Sequence, residues 1–212
     1  MTQAKSQLTI NEFLTLEEYL ALEELAEFRS AYINGQIIPM TGGSTNHNQI
    51  AGNFYAALNF ALKRQKYRVF MENVRLWIPK KRICTYPDVM AIAGEPEYLG
   101  DRDDTITNPL TIIEVLSKST SAYDKDKKFS FYSTIPTFQE YILIDQYAIH
   151  IQQFSKTANK RWTLVEYDEE DITLSLTSFQ FQIPLLDIYD KVILEPVEAV
   201  DDSLEHETKY SG

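Results

Sequence analysis

The stretch Thr111-Ile112-Ile113-Glu114-Val115-Leu116-Ser117-Lys118-Ser119-Thr120-Ser121-Ala122-Tyr123-Asp124-Lys125-Asp126-Lys127-Lys128-Phe129 decides how the rest of the chain is organised. It opens as an apolar strand that carries one carboxylate, Glu114, among residues that favour burial. A Ser/Thr cluster then turns it into a short, lysine-rich helix. A carboxylate in a buried strand is costly unless a cation, a metal or a hydrogen-bond donor meets it. Lys128 and Asp88 are the candidates to face Glu114.

Working outward, Leu110–Leu116 is the central strand and the helix after it spans about Ser121 to Ser133. Upstream, Tyr86-Pro87-Asp88-Val89-Met90-Ala91-Ile92 alternates as a strand, with Asp88 and Val89 on opposite faces. Tyr67–Phe70 and Val74–Ile78 are two further short strands, followed by the basic turn Pro79-Lys80-Lys81-Arg82. Gly94 to Asn108 is polar and Asp-rich, which predicts a surface loop. A helix from near Asn46 to about Arg64 carries His47 in its first turn. Asn34-Gly35 between two apolar runs predicts a hairpin. Thr15 and Glu18 form a capping box for a helix that reaches about Phe28. Downstream, Phe138–Asp145, Ala148–Phe154, Trp162–Tyr167 and Ile172–Leu176 have strand patterning, and Pro184–Tyr189 predicts a short closing helix.

The 212 residues suffice for one well-filled core. The expected organisation is a loose leader over residues 1–13, one domain over 14–194 and an acidic, disordered tail over 195–212. A single cysteine, Cys84, rules out an intramolecular disulfide and a Cys-based zinc cluster. No apolar run is long enough to cross a membrane as a helix, and the first residues lack the apolar core of a secretion signal. These features lead us to expect a cytoplasmic protein.

The net charge of −11 argues at first against nucleic acid. Its distribution weakens that objection. The tail holds six acids, Glu195, Glu198, Asp201, Asp202, Glu205 and Glu207, against Lys209. Between Lys63 and Arg82 eight basic residues oppose only Glu72. Such a stretch suits a polyanionic partner, or is simply a solvated face.

Neighbouring strands can bring Asp88 and Glu114 together on one face, where two like charges are tolerated with a divalent cation between them. Magnesium takes oxygen ligands of this kind and keeps several waters. A nearby lysine can orient a water and stabilise charge on a phosphate. Asp, Glu and Lys therefore suit a metal-dependent phosphodiesterase. The same residues also fit a turn aspartate and a structural Glu114–Lys128 ion pair.

Taken in order, Tyr32-Ile33-Asn34-Gly35, Gly42-Gly43-Ser44-Thr45-Asn46-His47-Asn48, Tyr86-Pro87-Asp88-Val89, Ile113 to Thr120, Tyr123 to Phe129 and Glu140 to Asp145 resemble the Uma-type restriction endonuclease family. The likeness runs from about Leu14 to Val192. It implies a restriction-endonuclease-like α/β fold of the PD-(D/E)XK superfamily, with a central mixed sheet flanked by helices. It also implies a metal-dependent endonuclease acting on DNA. Asp88 matches the PD aspartate and Glu114 the following acid, so the two would ligate Mg2+ or Mn2+. The superfamily lysine usually stands two residues after that acid, where this chain has Leu116. The Uma-type pattern brings a lysine from the next helix, at Lys128. A homodimer would supply two active sites for a duplex.

Helix geometry supports Lys128. Phe129 and Tyr132 mark the buried stripe, Lys127 points away from it, and Lys128 flanks it. Lys125 is the runner-up, and Asp124 could hold the Lys128 ammonium. His47 matches a family histidine that would touch phosphate or support the site; a helix-start residue bonded to a neighbour is the alternative. The chain departs from the family at Ala31, where a glutamate is usual. Glu27 could replace that acid if the first helix extends that far. A descendant of the fold that binds nucleic acid or a protein partner without cutting is the other outcome.

Overall fold

The computed structural model describes residues 13–40, 42–117, 123–158 and 160–194. Apart from Phe13, the expected leader and tail lie outside these residues. The framework is a six-stranded mixed sheet. Its strands are β3 (Tyr67–Met71), β6 (Val89–Ala93), β8 (Thr111–Leu116), β9 (Glu140–Asp145), β10 (Ile151–Ala158) and β11 (Arg161–Tyr167). They lie in the order β11-β10-β9-β8-β6-β3, and β8 and β9 run parallel. Strand β8 is buried along its whole length, which is why it reads as a nearly unbroken apolar run.

The two faces of this sheet serve different partners. On one face Val89, Ala91, Ile113 and Val115 pack against α2 (Thr45–Ala61) and α4 (Leu185–Ile188). On the other, Met90, Ile92, Ile112 and Leu116 meet a second sheet and the segment around Tyr132. That second sheet contains β1 (Ser30–Ile33), β2 (Gln36–Pro39), β4 (Arg75–Ile78), β5 (Ile83–Thr85) and β7 (Thr105–Ile106). In β4, Leu76 and Ile78 face the main sheet. Trp77 faces outward, to Tyr19 and Leu20 of α1 (Leu16–Leu25), Tyr32 and Cys84. A two-stranded ribbon, β12 (Thr173–Ser175) with β13 (Gln182–Pro184), leads into α4.

Most predicted elements are present within a few residues. The capping box forms, with Glu18 Oε2 accepting from Thr15 N at 2.8 Å and Thr15 Oγ1 from Glu18 N at 3.1 Å. Asn34 and Gly35 both adopt positive φ, 47° and 96°, as a tight hairpin turn requires.

Three expectations need correction. The first helix ends at Leu25, short of Phe28. The Gly94–Asn108 segment is not only surface loop, because Thr105 and Ile106 are fully buried as β7, parallel to β4. The lysine-rich helix is a π-helical turn, Tyr123–Lys128, running into the short α3, Phe129–Tyr132. Among the described residues no helix is long and apolar enough to cross a membrane.

Candidate active site

Antiparallel pairing of β6 with β8 places Val89 opposite Ile113. One step further along that register, Asp88 stands opposite Glu114. Asp88 lies just ahead of β6, at a bend that follows Pro87, so its carboxylate sits at the strand end and is 18% exposed. Glu114 is inside the strand and only 3% exposed. Both line one cleft of about 300 Å³ where the layers meet.

Each carboxylate has a basic partner from a different layer. On the second-sheet side, Lys128 Nζ lies 3.1 Å from Glu114 Oε1, and Tyr132 Oη donates to the same oxygen at 2.7 Å. Lys128 is mostly covered, with 15% of its side chain exposed, while Lys127 is exposed. Leu116, at the usual lysine position, is buried in the core on the face that Glu114 shares. On the α2 side, His47 Nε2 lies 3.2 Å from Asp88 Oδ2, which also accepts the Val115 N–H at 2.7 Å. Burial of the imidazole works against its charged form. The hydrogen bond and charge of Asp88, with Glu114 and Glu72 adding theirs, outweigh it, so His47 keeps its proton to higher pH than usual.

Local sequence explains how α2 delivers His47. Ser44 caps the helix, its Oγ accepting from His47 N at 3.1 Å. Gly43 packs so close that a Cβ there would stand 2.8 Å from His47 Nδ1. Ser44 Oγ also hydrogen-bonds Gln146 Oε1, and buried Gln146 donates from Nε2 to the Leu116 carbonyl at 2.7 Å. The start of α2 is thereby tied to the end of β8.

Of the predicted residues, Asp88, Glu114, Lys128 and His47 meet in this cleft. Lys125 and Glu27 do not line it; Glu27 lines an adjacent cleft beside Glu23 and Arg75. The side chain of Asp124 lies outside the described residues. Ala31 is not a lining residue of the cleft either, and the third acid present there is Glu72. Sequence reasoning missed it. Glu72 follows β3 with φ of 48°, donates its N–H to the Asp88 carbonyl at 3.1 Å, and accepts from Asn48 Nδ2 at 3.2 Å. Its lone acidic charge within the basic stretch was the available signal. Arg29, also missed, lines the cleft, donates to the Glu72 carbonyl at 2.8 Å and lies over the Tyr86 ring.

The described residues gather no group of three His, Cys, Asp or Glu side chains around one metal position. Asp88 and Glu114 therefore offer a two-carboxylate set. That set suits a hard cation which keeps much of its water shell, and it does not suit a zinc-type site.

Comparison with known proteins bears on the family and the fold. The model of the Uma2 family, described as "Putative restriction endonuclease", matches residues 16–186. Two uncharacterized Synechocystis proteins are similar. One, sll1609, is 40% identical over 154 residues, covering 73% of this chain and 87% of its own. The other, slr1290, is 32% identical over 142 residues, covering 66% and 73%. A crystal structure described as a putative nuclease belonging to DUF820, from Anabaena variabilis, superposes with a TM-score of 0.68 at 23% identity. It covers 85% of this chain and 99% of that one, and shows a shared fold. The match of the Uma2 model over most of the domain, with a relative 40% identical over 73% of this chain, leads to one assignment: the chain belongs to the Uma2 family.

Proposed function

We propose that the protein is a Mg2+- or Mn2+-dependent endonuclease that hydrolyses phosphodiester bonds in DNA. One observation carries this reading: Asp88, just ahead of β6, stands one register step beyond the Val89–Ile113 pair, opposite Glu114 of β8, in a cleft that Lys128 also lines. These two carboxylates would hold the cation. When bound, it supplies positive charge against a phosphate oxygen and makes water more acidic.

The remaining work falls to the chain's own groups. Lys128 presents its ammonium where negative charge builds on the phosphorane, and it can orient the attacking water. Water adds to phosphorus and gives up a proton to solvent, one P–O ester bond breaks, and the departing oxygen takes a proton from solvent and leaves as a hydroxyl. His47 holds the Asp88 carboxylate in place through Oδ2. A homodimer would present a second such cleft to the opposite strand.

The test is nicking of covalently closed circular DNA, which has no ends for an exonuclease. The reading expects open-circular and linear product in Mg2+ or Mn2+ and none in EDTA. A preparation that leaves the circle intact in both metals would favour a non-cutting member that binds nucleic acid or a protein partner.

A further inference from the structure

The basic stretch does not form one surface. Arg75 is buried against Asp104. Lys80 and Lys81 are exposed at the turn that follows β4, on the second sheet. Lys63 and Arg64 follow the end of α2, which packs on the opposite face of the main sheet, whereas Arg68 of β3 is in register with Ile92 on the second-sheet face and is paired with Glu95 at 2.6 Å.

A groove of about 680 Å³ runs between the C-terminal half of α2 and β3. Its lining includes Lys63, Arg64 and Arg68 and no acidic residue, although the chain has 31 acids against 20 bases. Phe60 stands 80% exposed at the groove, and Tyr55 also lines it. Arg64 holds φ of 67°, a left-handed conformation that glycine adopts easily and a long side chain does not. Strand β3 is also the terminal strand of its sheet.

The groove points at the candidate active site. Both α2 and β3 have their far ends at the cleft, through His47 and Glu72, and their near ends at Lys63 to Tyr67. From His47 to Ala61, its last residue, α2 rises roughly 21 Å, at 1.5 Å per residue. That span matches about six nucleotides of B-form strand.

We propose that this groove holds the DNA backbone flanking the cleavage point, with Lys63 and Arg64 neutralising phosphates. The inference rests on the nuclease reading for its substrate, and charge complementarity with a polyanion is what selects the occupant.

The test is binding in EDTA, followed by fluorescence anisotropy across a salt series, with a duplex of about 30 base pairs. Lys63→Glu with Arg64→Glu should weaken binding at least ~10-fold and reduce the salt slope by about 2. Arg64→Gly should weaken it without lowering the melting temperature, since it relieves the backbone while removing the guanidinium. Lys80→Glu with Lys81→Glu should leave affinity unchanged. Equal losses from the Lys80/Lys81 pair, unchanged affinity in the Lys63/Arg64 pair, or a change in that pair confined to self-association would overturn the proposal. Groove-dependent binding without cleavage would sink the nuclease reading and leave the groove standing. Cleavage with no groove dependence would do the reverse.

Discussion

Lys128 reaches Glu114 from the neighbouring layer, Nζ to Oε1 at 3.1 Å, while Leu116 occupies core on the strand face that Glu114 shares. The amine therefore arrives from a π-helical turn, not from the strand that holds the acid. Its stem lies along apolar surface and its head opens on the cleft. Lys128→Met should lower DNA cleavage roughly 100-fold or more, the scale set by removing one positioned charge donor. Lys128→Arg should retain part of the activity. Initial rates on plasmid DNA check both, and full activity in Lys128→Met would remove the lysine from the mechanism.

The seat of His47 depends on Gly43. A Cβ at Gly43 would press on the imidazole at 2.8 Å from Nδ1 and 2.9 Å from Cγ, whereas one at Gly42 would meet open space. Gly43→Ala should push His47 off Asp88 and cut activity about 10-fold, within the range of general positioning effects. Gly42→Ala should cost nothing. Equal behaviour of the two variants would separate His47 from function.

Among the described residues two glutamates are buried, with different duties. Glu140 is fully buried and collects donors from Gln153, Ser155, Thr177 and Ser178, which fasten the segment after β12 onto β9. Glu114 instead opens on the cleft. Glu140→Ala should lower stability by about 3 kcal/mol or more, because several buried donors lose their acceptor together. Glu114→Gln should abolish cleavage with a much smaller stability change. Urea unfolding beside the activity assay distinguishes them.

Acid should act on the domain partly through Asp104. Hydrogen bonds from Arg102, helped by Thr105 and by the charge of Arg75, outweigh its partial burial and hold its carboxyl well below the usual range. A group lowered in the folded state contributes stability that is complete above the unfolded pKa of about 4 and is lost as pH falls through the folded value. Asp104→Asn should cost about 2 kcal/mol at neutral pH, since Arg75 is buried beside it. The same variant should show a shallower fall in melting temperature between neutral pH and strong acid than the parent.

Much of the site was legible because it depends on short-range pattern. Strand β8 is buried on both faces, so its apolar run exposes Glu114 as an anomaly, and Pro87 marks Asp88 at a strand start. The helix periodicity that supported Lys128 still describes which residues of the π-helical turn and α3 face inward, since Phe129 and Tyr132 pack into the core. What escaped depends on the fold as a whole. Glu72 stands out in sequence only as a lone acid in a basic stretch, and it enters the cleft because its left-handed backbone follows a strand paired with β6. Glu27 failed as a substitute acid because α1 stops at Leu25. The second sheet was hidden because β5 and β7 have three and two residues, too few for a period to register.

The account turns on whether the opposed acids Asp88 and Glu114 carry the chemistry. The most direct measurement compares initial rates of Mn2+-dependent nicking of supercoiled plasmid by the parent, Asp88→Asn and Glu114→Gln, each first confirmed to be folded by its thermal transition. The account predicts metal-dependent nicking by the parent and its loss in both variants. Nicking at the parental rate by either folded variant would contradict it.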